Sequence, residues 1–357
     1  MGLNLMGAFG IMRTIDICFV SLLDTEPPRW IKHGKLLPLP ETVLGRAVYA
    51  FDLVSSIRGR SWFQGTVWNW ASPWMKRVPP PSYSSRLSFL LSNLKWLAAQ
   101  YLIIDILDTL NHRYTWSPSN PTPITSLPFP EQLLCAFSLC LCTVFSITAP
   151  CLIYSSVFTL VGCPLDAWPS MFDRPLSASS LQDFWSNRWH EIFRRVFDRL
   201  STGILYIPSS ALSKDVRRVL RATVIFALSG AFHLGLIQHT VHSSNIRLNG
   251  SAATSTADPH LILSETKHIF LDPSTLKFFL SQPFGLFLER AVIVPIAANL
   301  APRFKGLITR VWVWVWLLYS SRWWCDAWVH AGLWNMEETL VGWSPVRGIL
   351  KGQWWLV

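Results

Sequence analysis

Long apolar runs alternate along the chain with polar, proline-bearing stretches. Leu87 to Leu110, Leu133 to Val161, a run from near Val216 to Ile237, Leu276 to Leu300 and Leu307 to Leu333 each come close to, or exceed, the ~20 residues that cross a hydrocarbon core. Leu5 to Leu23 is also apolar, but Arg13 and Asp16 break it and it lacks the small-residue cleavage site of a secretory signal. This predicts a weak first span or a re-entrant segment. Pro150 predicts one kinked span or two short ones, and Pro283 a further kink. Lys95 and Asp105, inside one run, are expected to face other helices or to snorkel. Asp24 to Arg86 reads as a loop with short interfacial helices, and Asn111 to Pro130 as a proline-rich connector. Gln238 to Ser274 is a Ser/Thr/Asn/His-rich loop. No internal repeat, heptad run or domain boundary is visible. The pattern predicts an all-α fold: one polytopic helical membrane domain over residues 1–357, with about six to eight transmembrane helices.

The polar stretch Gly162 to Arg221 holds a pattern of its own, SLQDFWSNRWHEIFRRVFDR, from Ser180 to Arg199. At about 100° per residue it sorts into three faces. Leu181, Phe184, Trp185, Trp189, Ile192, Phe193, Val196 and Phe197 form an apolar face. Asp183, Asn187, His190 and Arg194 fall in a polar stripe, and Arg188, Arg195 and Arg199 on a basic side. Ser180 and Asp183 fit a capping box, so one helix is expected to start there. A membrane-surface helix accounts for the apolar and basic faces. It does not account for an acid, an amide, an imidazole and a guanidinium in one line, which favours a site helix.

Composition supports the membrane reading. Half the residues are hydrophobic, only 15% are charged, and mean hydropathy is +0.30. A soluble domain carries nearer 25% charged residues. Twenty tryptophans suit chains whose rings sit at headgroup level. The net charge of +10 does not point to nucleic acid, because the cations flank apolar spans instead of forming a patch. Loops 24–86, 163–221 and 301–306 are basic, whereas 111–130 and 238–275 are not; the two sets alternate, so the basic set is expected on the cytosolic side. The sequon Asn249-Gly250-Ser251 lies in the other set, in agreement with this topology, and an integral protein of the endoplasmic reticulum membrane is expected. The seven cysteines include no C-x-x-C pair, so neither a disulfide framework nor a metal site is expected.

The second candidate for chemistry is His233, inside an apolar span, where an imidazole costs desolvation and invites a functional reading. Gly230 nearby lets something approach the backbone. The bland reading of His233 is a histidine bonded to a neighbouring helix. Glu289 beside Arg290 reads as an intramembrane ion pair, structural more than catalytic. His239 and His242 form a single H-x-x-H, too few for a di-iron centre. Hydrolase-elbow, P-loop and dinucleotide motifs do not occur.

SLQDFWSNRWHEIFR resembles the signature of wax synthase-like enzymes, a branch of the membrane-bound O-acyltransferases. FALSGAFH, ending at His233, resembles their second signature. FFLSQPFGLFLE from Phe278, the tryptophan-rich span ending in His330 and RGRSW from Arg58 to Trp62 extend the resemblance over residues 55–335. The second motif continues with Leu234-Gly235, where plant wax synthases often have an acid. The resemblance is nearest to fungal acetyltransferases that decorate terpenoid and meroterpenoid hydroxyls. It implies an acyl-CoA co-substrate such as acetyl-CoA, no permanently bound cofactor, a hydrophobic alcohol acceptor and contact with membrane lipid. It implies His233 as general base, with His190 or Asn187 at the thioester carbonyl or orienting the base. Asp183, Trp185, Arg188, Trp189, Arg194 and Arg195 would serve coenzyme A, guanidinium groups meeting its phosphates bidentately. A long-chain wax-ester synthase and a non-enzymatic membrane transporter remain the alternatives.

Overall fold

A computed structural model describes residues 2–24, 26–56, 58–62, 66–78, 81–112, 114, 122–205, 212–250, 273–331 and 342–355. The first helix, α1 (Gly2–Cys18), holds Arg13 and Asp16 buried and bonded to each other at 2.6 Å. The stretch expected to be loop then builds a small antiparallel sheet, in the order β2-β1-β3, from β1 (Trp30–Lys32), β2 (Lys35–Leu36) and β3 (Val67–Trp68). Its hairpin turns on His33 and Gly34, both at positive φ, the geometry of a two-residue connection. Between the strands lie α2 (Val43–Ser55), capped by Thr42, and after them the short α3 (Pro73–Arg77). Asp52 of α2 is fully buried and accepts bonds from the Trp30 indole and the Trp62 backbone, both at 2.8 Å.

The apolar runs form the expected long helices. α4 (Arg86–Asn111) begins in a reciprocal capping box between Ser85 and Ser88. α5 (Phe129–Leu160) runs through Pro150 as one helix. The site segment follows, with the single turn α6 (Leu181–Asp183) and α7 (Arg194–Ile204). α8 (Lys214–Gly250) continues past the expected end at Ile237; the remaining part of the predicted loop, 251–272, lies outside the described residues. α9 (Pro273–Leu288), a π turn (Glu289–Ile293) and α10 (Val294–Ala298) make one further span, and α11 (Pro302–His330) carries the tryptophans.

Among the described residues four helices are long and apolar enough to cross a membrane: Arg86–Asn111, Phe129–Leu160, Lys214–Ile237 and Pro273–Ala298. That is fewer than six to eight, for two physical reasons. α1 has only 17 residues, and the 29-residue α11 is diluted by Arg303, Lys305, Arg310, Arg322, Asp326 and its indoles. The helices are joined by small residues and polar ties. A Cβ on Gly230 would lie 3.2 Å from that of Phe279, and one on Gly285 would meet the Trp316 ring. Asn93 of α4 bonds Ser155 and Ser156 of α5 at 3.0 Å, while Gln282 of α9 bonds Ser320 of α11 at 3.1 Å. The last helix, α12 (Pro345–Lys351), docks on α4: Ser344 bonds Asp105, and Arg347 pairs with Asp108 at 2.9 Å.

Candidate active site

The stretch from Ser180 to Arg199 is not one helix. Ser180 does cap it, accepting the Asp183 N–H at 2.8 Å, but Asp183 reaches back to the Ser179 N–H and not to Ser180. After one α turn the chain widens into a π turn over Phe184–Arg188, closed by the Trp189 N–H on the Phe184 carbonyl at 2.8 Å. Trp189 is extended, and α7 starts only at Arg194. Five-residue spacing places Arg188 Nε on Asp183 at 2.6 Å. The polar stripe expected from α-helical periodicity is therefore divided.

Asp183 also accepts from Asn187 Nδ2 at 3.1 Å and from the Ser179 hydroxyl at 3.3 Å. Burial works against its charge, but the bonds from Arg188, Asn187 and Ser179 outweigh it and hold the carboxyl below the usual carboxylate range. Arg188 further holds the Asp173 carbonyl and the Ser177 hydroxyl. The α6 turn is fixed from the membrane side by Glu289, whose carboxylate accepts the Leu181 N–H at 2.6 Å. The expected Glu289–Arg290 pair is absent, because consecutive residues on a helix point apart; Arg290 meets Asp215 at 3.0 Å.

Behind this segment opens a cavity of about 2480 Å³, walled by α4, α5, α8, α9, α11 and residues 58–62, 74–78, 81–83 and 167–198. His190, His233, Trp185, Trp189 and Arg194 line it; Asp183, Asn187, Arg188 and Arg195 do not. Arg194 bonds the Ser186 carbonyl and Glu191. Arg195 turns away to Asp16 at 2.8 Å and lies 4.1 Å over the Trp70 ring.

His233 Nδ1 lies 2.8 Å from the Ser229 carbonyl oxygen. A carbonyl only accepts, so Nδ1 carries the proton and Nε2 keeps its lone pair. The ring rests on Phe279 at 4.5 Å between centroids and on Trp324 at 5.8 Å, a contact made possible by Gly230. His190 sits among Phe172, Trp189 and Phe193, and its Nδ1 is buried without a hydrogen-bond partner. Burial first, then repulsion by Arg58 and by His233 whenever that ring is protonated, pushes its pKa down. Phe193 and Phe232, 4.5 Å apart, bridge the two histidines.

Similarity to known proteins falls on this same region. The family model described as the membrane bound O-acyl transferase family matches residues 168–250, which contain both histidines. Over that segment the chain is similar to that family. It is 24% identical to acetyltransferase ple2 of Rhodocybe pseudopiperita over 322 residues, 87% of this chain and 76% of that one. It is 25% identical to acetyltransferase ataH of Aspergillus terreus over 270 residues, 67% of this chain and 77% of that one. With acetyltransferase eriL of Hericium erinaceus it shares 24% identity over 196 residues, 54% and 44% of the two chains. No solved structure matches it.

This O-acyltransferase uses its upstream RGRSW element to hold the cavity wall. Arg58 bonds the carbonyls of Pro169 at 3.1 Å and Ser170 at 2.7 Å, and Arg60 those of Asp166 and Val78. Gly59, at φ +81°, passes so close to Ala71 that a Cβ would lie 2.5 Å from that of the alanine. Hydropathy gives no sign of these ties, nor of Glu191, which is buried and bonded to Ser72 at 2.8 Å.

Proposed function

We propose that this acyltransferase moves an acetyl group from acetyl-CoA to the hydroxyl of a hydrophobic acceptor, a terpenoid or meroterpenoid alcohol, at the endoplasmic reticulum membrane. The observation that carries the reading is the placement of His233 and His190 on one cavity wall, joined through Phe193 and Phe232. His233 Nε2 takes the acceptor's hydroxyl proton as the oxygen attacks the thioester carbonyl. A C–O bond forms, the carbonyl pair moves to oxygen, and collapse breaks the C–S bond. The departing thiolate takes the proton back from His233, leaving the ester, coenzyme A and a neutral imidazole. Proton transfer of this kind is worth ~10²–10⁴ in rate.

His190, kept neutral, offers one ring N–H to the developing oxyanion, a contribution of about 2.7–4 kcal/mol where such donors are well placed. Trp185, Trp189 and Arg194 serve the donor from the wall, while Asp183, Asn187 and Arg188 act from behind it by shaping the segment. Arg77 and Arg174 are exposed arginines on the wall and suit the phosphates of coenzyme A. The relatives named acetyltransferase support the short donor. The test is incubation of purified protein with acetyl-CoA, longer acyl-CoAs and a panel of hydroxylated terpenoids and fatty alcohols, read by mass spectrometry. Acetylated terpenoid is expected; exclusive formation of long-chain fatty esters would overturn the reading.

A further inference from the structure

α2 presents an exposed apolar face. Val43, Leu44, Phe51 and Val54 are 87%, 75%, 60% and 53% exposed, and Ala47 and Ala50 complete the stripe. At 100° per residue these six positions fall within one contiguous arc, with Arg46 at its edge. The opposite side cannot exchange places with it. Asp52 is bonded to Trp30 and Trp62, the Tyr49 hydroxyl to the Pro28 carbonyl at 2.6 Å, and Arg13 to the Leu53 carbonyl. The exposed stripe is thus a fixed feature of the fold and not a helix free to roll.

Thirteen residues make a helix of about 20 Å, too short for a hydrocarbon core of about 30 Å. Two further observations say what meets the face. From Trp30 to Arg46 the chain carries Lys32, Lys35 and Arg46 against a single acid, Glu41, which suits anionic headgroups. The face also continues an exposed apolar surface: Arg13 ties α2 to α1, Ile11 of α1 and Phe19 and Leu22 just after it are exposed, and α1 lies against the span α8. We infer that α2 lies in the plane of the bilayer interface, its Val43–Val54 stripe sunk among the acyl chains and its cations at the headgroups. Because Trp62 hangs on Asp52, and Arg58 and Arg60 hold residues 166–170, this anchor sets the height of the cavity wall relative to the lipid.

The experiment places an environment-sensitive fluorescent amino acid at Leu44, Phe51 or Val54, and at Lys35 as reference, in the full chain in phosphatidylcholine/phosphatidylserine nanodiscs. Nitroxides on shallow acyl-chain positions should quench the three α2 probes strongly and to the same depth, with blue-shifted emission and little quenching by aqueous iodide. The Lys35 probe should show the reverse preference. Iodide quenching of the α2 probes would overturn the inference. So would a progressive change of depth along the helix, or protection from both quenchers, which would mean that protein covers the face.

Discussion

Glu289 reaches from a membrane span to the site segment and accepts the backbone N–H of Leu181 at 2.6 Å, with a second bond from Gln182. A carboxylate at a helix start satisfies donors that no helical carbonyl can reach. Through it the α9 side of the cavity sets the position of the turn that leads to His190.

Replacing Glu289 by alanine leaves the buried Leu181 N–H without a partner, at a cost of about 1–3 kcal/mol. The expected outcome is a lower melting temperature and reduced turnover, with Glu289→Gln intermediate because its amide oxygen still accepts. Thermal melts in detergent and initial rates on the same preparations check both.

A second contrast separates residues behind the wall from those on it. Arg77→Ala and Arg174→Ala should raise KM for acetyl-CoA up to about tenfold each, the loss of one charge-assisted phosphate contact. Arg188→Ala should lower thermal stability and kcat with little change in KM, since its bonds go to Asp183, the Asp173 carbonyl and Ser177. Steady-state kinetics with melts on the three variants decide it.

How far the sequence carried depended on the length of the signal. Runs such as Leu133–Val161 were readable because some 20 apolar residues leave few alternatives. The site segment misled: its residues follow an α-helical apolar period, and that period carries no mark of the π turn or of the break at Trp189. The hairpin at His33-Gly34 was hidden because strands of two and three residues show no alternation. Neighbours in sequence suggested a Glu289–Arg290 pair, whereas helix geometry sends the two apart to Leu181 and Asp215. Both histidines stood out in the sequence, His190 in the polar stripe and His233 inside an apolar span, and only the fold brings them to one cavity.

Close packing beside His233 gives a third expectation. Gly230→Val should push Phe279 away from the imidazole it supports, and overpacking of this kind costs about 1–3 kcal/mol. Turnover should fall more than in Gly230→Ala, and a melt should record the strain.

Stability should depend on pH through His190. Its pKa is depressed in the folded chain, chiefly by burial, so the unfolded chain binds the proton more readily. The stabilising contribution is fully present above the unfolded value of about 6.5 and is lost progressively as pH falls toward the folded value. His190→Gln should therefore flatten the decline of melting temperature on the acid side. A decline of the same slope in both proteins would contradict this.

The central claim is that His233 is the base, and His233→Ala tests it most directly. Turnover, acetyl-CoA binding and size-exclusion behaviour are measured on one preparation. Turnover should drop by ~10²–10⁴ while fold and acetyl-CoA binding persist, with His190→Ala less damaging. A well-folded His233→Ala protein with near-normal turnover would contradict the assignment.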